Sequence, residues 1–140
     1  MRVFLSHAYT GEDHVSVRAR MKRIVQIFEE QGVEAYCDLF DSRCKTMTQP
    51  TQFIEHDLKE LRRCDKIFVI MTSARRSEGM LIEVGAALAF QKPIVLMQCV
   101  ASVGSTYLDT IAQYTVLWQN DAELFEKIKN TILLPDEALE

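Results

Sequence analysis

Glu83 is the only charged residue in the apolar run GMLIEVGAALAFQ that separates Glu78 from Lys92. Burying an unpaired carboxylate is costly, so a lone glutamate in such a run implies a partner or a reaction, unless it simply tips out of an exposed helix face. Asp57 poses the same question on a second helical stripe, between Ile54 and Leu58, where an apolar residue is the default. It either pairs locally with His56, Lys59 or Arg62 or has a role of its own. Two carboxylates converging on one crevice are the groups that cleave glycosidic bonds: one attacks the anomeric carbon while the other positions substrate or handles a proton. Just ahead of Glu83, the segment Thr72 to Gly79 brings hydroxyls, Arg75, Arg76, Ser77 and a glycine to a helix N-terminus. Free amides and the helix dipole make that a phosphate cradle, with Gly79 allowing close backbone approach. It is neither a Walker loop nor GxGxxG.

These residues need strands and helices in alternation to bring them together, and the periodicity supplies them. Val3 to Ser6 reads as a strand, followed by a helix carrying Val17, Met21, Ile24, Val25 and Phe28 and ending at Gly32. VEAYC, from Val33, is the second strand. A polar loop from Asp38 to Gln52 leads into a helix over about Thr51 to Arg63, and KIFVIM, Lys66 to Met71, has the continuous apolar character of a central parallel strand. The helix bearing Glu83 runs from about Gly79 to Gln91. PIVLM, from Pro93, then a Gly/Ser/Thr loop over Ala101 to Tyr107, a shorter strand at Tyr114 to Leu117 and a helix with Leu124, Phe125, Ile128 and Ile132 complete the chain.

The expected fold is therefore α/β, a flavodoxin-like or Rossmann-like three-layer sandwich with a roughly five-stranded parallel sheet, as one domain over residues 1–140. Such sheets bind ligands at the carboxyl ends of their strands, which directs attention to Ser6 to Glu12, Asp38 onward, Thr72 to Glu83 and Cys99 to Tyr107.

With 140 residues, 48% apolar and 26% charged, the composition is that of an ordinary globular domain. A net charge of -4 with scattered basic residues argues against nucleic acid as a partner. No apolar run is long enough to span a bilayer, and acidic residues follow the N-terminus too soon for a secretory signal, so the expected location is the cytoplasm. Cys37, Cys44, Cys64 and Cys99 have neither CxxC nor metal-ligand spacing; buried free thiols are expected, with no metal and no cofactor. Cys44, flanked by Arg43 and Lys45 in a polar loop, is either a thiol whose pKa those charges lower or a bystander.

The stretch IEHDLKELRRCDKIFVIMTSARRSEGMLIEVGAALAFQKPIVLM resembles the nucleoside 2-deoxyribosyltransferase-like family, which includes nucleoside 5'-monophosphate N-glycosidases. The resemblance rests on Asp57-Leu58, Cys64-Asp65 entering a strand, Gly79 ahead of Glu83, and Glu83-Val84-Gly85 running through alanines to Lys92-Pro93. It implies that Glu83 is the nucleophile forming a glycosyl-enzyme and that Asp57 holds and activates the sugar. The family's transferases usually carry Asp where this chain has Ser77, whereas its monophosphate hydrolases carry Ser; a carboxylate there would repel a 5'-phosphate that Ser77, Arg75 and Arg76 would bind. By the same analogy Ser105 completes a phosphate site across a homodimer interface. Ser6, His7 and Tyr9 are then candidates to touch sugar or base, Tyr9 by stacking.

One departure is the first strand, which ends FLSHAYTGED without an early glycine. That opening, with GVEAYCD, is similar to Toll/interleukin-1 receptor (TIR) domains, some of which cleave NAD with a glutamate in the corresponding helix, although the tryptophan often found before that glutamate is missing here. The resemblances imply an N-glycosidase acting on a nucleoside monophosphate by hydrolysis or base transfer. A TIR-like NAD glycohydrolase, or a non-catalytic nucleotide-sensing or TIR-type interaction module, is the alternative.

Overall fold

The computed structural model describes residues 1–132, so the last eight residues of the expected 1–140 domain lie outside the described ones. Five parallel strands form the sheet: β1 (Arg2–His7), β2 (Glu34–Tyr36), β3 (Lys66–Met71), β4 (Ile94–Cys99) and β5 (Tyr114–Trp118). They are arranged in the order β2-β1-β3-β4-β5. This is the flavodoxin-like order, whose switch point falls between β1 and β3. The register there pairs Ser6 with Val69 and His7 with Ile70, so the ends of both strands open into the same crevice.

Helices α1 (His14–Glu30) and α5 (Asp121–Ile132) contribute to one core with Val3, Leu5, Phe68 and Ile70 of the sheet. Helices α2 (Pro50–Arg62) and α3 (Glu78–Ala89) contribute to the other with Phe4, Ile67, Val69 and Leu96. The three central strands can be apolar on both faces because each face is covered. β3 has the bounds its sequence implied, and every residue in it is buried.

The loop from Asp38 to Gln52 is more ordered than its polarity suggested. It holds two 3-10 turns, Asp38–Phe40 and Ser42–Thr46, before Pro50 opens α2 at the position where its missing N–H costs nothing. A four-residue helix, α4 (Leu108–Ile111), was not foreseen, being too short for periodicity to register. Gly32 ends α1 with φ +75°, the left-handed conformation that glycine adopts without strain. Among the described residues no helix is long and apolar enough to cross a membrane.

Candidate active site

A cavity of about 980 Å³ opens at the carboxyl ends of β1, β2 and β3, bounded by the N-terminal turns of α3 and one side of α2. Asp57 and Glu83 both line it. Asp57 is buried, with 6% of its surface exposed, more deeply than the apolar neighbours Ile54 and Leu58 that define its stripe. It does not pair with His56, Lys59 or Arg62; His56 turns instead to Asp41 at 2.8 Å. The Asp57 neighbours are the Tyr36 hydroxyl, at 3.5 Å from Oδ1, and two further carboxylates, Asp38 and Glu83.

Oxygen atoms of Asp38, Asp57 and Glu83 all lie within 4.8 Å of one another. Three carboxylates that close cannot all ionise, and the surroundings decide which keeps a proton. Burial, then the Asp38 charge, then Glu83 push Asp57 up to about 10. Glu83 is raised by burial, an effect opposed by the Ser6 hydroxyl, which donates to its Oε1 at 2.6 Å, and it settles at about 7. Burial acts against the Asp38 anion, but the hydrogen bond and charge of His7, with hydrogen bonds from Asp57 and the Leu39 amide, together outweigh it and leave Asp38 below the usual carboxylate range. Of the three, Asp57 holds a proton most tightly. The same three oxygens are close enough to hold a cation, but the imidazole in contact with Asp38 already brings positive charge to them. A second cluster, Asp41, Cys44 and His56, has its carboxylate taken by Arg43, Tyr36 and His56.

Ser77 is the N-cap of α3, its Oγ accepting from the Met80 amide at 3.3 Å. Aspartate caps helices as well as serine does, so exchanging the two residues alters the charge offered to a ligand without disturbing the helix. Gly79 lies in the first turn, where a Cβ would meet only open space, and it lines the cavity. Arg76 is exposed at the rim and has no hydrogen-bond or ion-pair partner among the described residues. Arg75 is already engaged. It donates to the Gly11 carbonyl, and with Ser73 donating to Glu12 at 3.3 Å it clasps the β1–α1 loop onto the β3–α3 loop. Gly11 suits that turn because its φ of +80° is the left-handed conformation that other residues adopt only with strain.

Tyr9 lines the cavity with its ring stacked on His14, centroids 3.9 Å apart. His7 lines it too, hydrogen-bonded through both ring nitrogens. Ser105 stands apart in the loop after β4, its hydroxyl donating to the Ser102 carbonyl at 2.6 Å, and is not among the residues lining the cavity. Of the two readings of Cys44, the lowered pKa is overturned: the thiol is raised to about 11, first by burial and then by Asp41, Asp57 and Asp38. Arg43, the adjacent cation, is turned to Asp41 and Glu60. Asp38 is the residue that sequence reading did not single out. Its signal was position alone, at the carboxyl end of β2.

The family model for nucleoside 2-deoxyribosyltransferase matches residues 9–130. Among solved structures, the Clostridium botulinum CMP N-glycosidase BcmB is similar with a TM-score of 0.72 at 20% identity, the match covering 94% of this chain and 99% of that one. The solution structure of BlsM is similar with a TM-score of 0.72 at 22% identity, covering 96% and 94%. A 2-deoxyribosyltransferase from Bacillus psychrosaccharolyticus is similar with a TM-score of 0.70 at 14% identity, covering 99% and 96%. No curated protein matches the sequence.

Proposed function

Because the chain belongs to the nucleoside 2-deoxyribosyltransferase family, a family of enzymes, we propose that it breaks the base–sugar bond of a nucleoside 5'-monophosphate with Glu83 as nucleophile. The observation that carries this reading is the proximity of two cavity-lining carboxyl groups, Glu83 and Asp57, with oxygens within 4.8 Å. That spacing leaves little room for a water between them, which favours direct attack by a carboxylate over general-base activation of water.

In this mechanism Glu83 attacks the anomeric carbon while the bond to the base breaks. The electron pair leaves with the base, which takes the Asp57 proton and departs neutral, and Glu83 is left esterified to the sugar. Water or a second base then attacks the same carbon, gives its proton to the Asp57 carboxylate and frees Glu83. The Ser6 hydroxyl orients the nucleophile and favours its ionised form.

The 5'-phosphate is assigned to the N-terminus of α3, where Ser77, the backbone at Gly79 and the exposed Arg76 border the cavity. Arg75 contributes by holding the loop that carries Tyr9. Tyr9 is placed to stack on the base. The similarity to a CMP N-glycosidase supports a nucleotide over a free nucleoside.

The reading extends to a homodimer. Leu81, Ile82 and Leu88 on α3 are 42–48% exposed, an uncharged strip that a second copy would cover, bringing a partner's Ser105 loop toward the phosphate end. Light scattering that finds only monomer at micromolar concentration refutes this part.

The decisive assay incubates the protein with nucleoside 5'-monophosphates, the matching nucleosides and NAD, then measures free base by chromatography. Release from monophosphates in preference to nucleosides is the expected result. Nicotinamide as the principal product, or release by Glu83→Ala as fast as by wild type, defeats the proposal.

A further inference from the structure

His7, the last residue of β1, has both ring nitrogens against acceptors. Nδ1 lies 3.1 Å from the Ala8 carbonyl oxygen, which can only accept, so Nδ1 carries a proton. Nε2 lies 3.1 Å from Asp38 Oδ1, and a hydrogen bond there requires a second proton between them. With His7 shifted up and Asp38 shifted down, that proton belongs to the ring, an imidazolium facing a carboxylate, and the His7 side chain is only 7% exposed, so solvent does little to weaken the attraction. Burial opposes the cation, yet Asp38 and then Cys37 carry the His7 pKa well above its ordinary value.

Asp38 is at once the partner of His7 and a member of the carboxylate cluster with Asp57 and Glu83. The groups facing it are His7 from β1, Cys37 beside it at the end of β2, Asp57 from α2 and Glu83 from α3. Other cations line the same cavity without holding it: Arg18 of α1 reaches the Leu39 carbonyl at 3.5 Å and the Phe40 ring, and Lys45 lies on the far loop. His7 is the cation positioned to choose which of the three acids is ionised.

We propose that His7 and Asp38 are a positioning pair for the reaction: His7 holds Asp38 ionised, and the Asp38 anion keeps the cluster's proton on Asp57, where the departing base can take it. The proposal rests on the reading that Asp57 protonates the leaving base. Neither member of the pair attacks or protonates substrate. They separate an acid from a nucleophile that are otherwise chemically alike, since the imidazolium also favours the ionised form of Glu83.

The test uses two variants of the whole chain, Asp38→Asn and His7→Gln. The first keeps an oxygen to accept from Nε2 and removes only the charge. Carboxyl-carbon NMR on protein labelled at Asp and Glu reads the titration midpoints of Asp57 and Glu83, and base release against pH reads kcat and KM. In Asp38→Asn the Asp57 midpoint falls by about one pH unit or more. The alkaline limb of kcat falls with it, while KM changes by less than about threefold. In His7→Gln the Glu83 midpoint rises, and the acid limb moves to higher pH.

An unmoved Asp57 midpoint in a cooperatively folded Asp38→Asn overturns the proposal, whatever the activity. If wild type releases no base from any substrate, the proposed function fails, and the NMR midpoints still decide whether the pair orders the charges. If wild type is active and both pH profiles are unchanged, the pair has no positioning role.

Discussion

Helix α2 buries two carboxylates one turn apart, Asp57 and Glu60, and they have opposite fates. Glu60, 2% exposed, accepts from Arg2 at 2.7 Å and from Arg43 at 3.0 Å; Arg43 also forks onto Asp41. Burial works against the Glu60 anion, but Arg2 and Arg43 prevail and hold its pKa below the ordinary value. Asp57 is as enclosed and has no arginine, only Tyr36 and two more acids, so burial prevails and it stays protonated. The same residue class on the same helix thus becomes a paired ion in one place and a neutral acid in the other. The difference lies in which cations the neighbouring strands and loops bring within reach.

The largest effect expected from this contrast is on activity. Glu83→Ala lowers base release by about a thousandfold or more. The same change leaves stability within about 1 kcal/mol of wild type in urea, because removing one of three crowded acids relieves repulsion. An equal loss of stability would show that Glu83 is a structural group like Glu60.

Next in size is Glu60→Gln, which removes the charge that Arg2 and Arg43 share; each arginine keeps another carboxylate, Glu34 and Asp41, so the cost in urea unfolding is about 1–2 kcal/mol.

Asp57→Asn reverses the pattern, with base release falling about a hundredfold and stability at neutral pH equal to wild type or higher. Its pH dependence follows from the sign of the shift. A carboxyl raised from 3.8 to about 10 favours the folded state fully below its unfolded pKa and loses that contribution as pH rises toward 10. Wild-type urea midpoints therefore decline between about pH 5 and 9, and Asp57→Asn flattens the decline. Glu60, shifted the other way, contributes above its unfolded pKa and loses that contribution as pH falls, so Glu60→Gln flattens the acid side instead.

The smallest effect expected is at the helix cap. Ser77→Asp preserves the cap but faces a phosphate with a carboxylate, raising KM for a monophosphate about tenfold while leaving that for the nucleoside unchanged. Equal changes for both substrates would remove the phosphate from this end of the cavity.

Much of this was legible before folding was considered. Asp57 and Glu83 stand out because each breaks an apolar pattern, and a charge in an apolar stripe is a local signal. Asp38 breaks no pattern: it opens a polar loop, and only the parallel pairing of β1 with β2 and β3 brings that loop to His7 and Glu83. Arg75 read correctly as a cation near the cavity, but its clasp on Gly11 spans 64 positions in the chain and has no trace in local composition. Cys44 shows the same limit of local reading, since its sequence neighbours are cations while its spatial neighbours are acids.

By itself, the sequence determined the alternation of strands and helices, the both-sided burial of the central strands, and the two helix positions where a carboxylate would meet the core. Periodicity and the cost of burying charge act over a few residues, and a chain read in order displays them. Which carboxylate keeps a proton, which is ionised and which is spent on an arginine was decided only by the tertiary structure. Those states depend on separations of a few ångströms between residues from four different elements, and in a low-dielectric crevice such separations outweigh anything their neighbours in the chain can contribute.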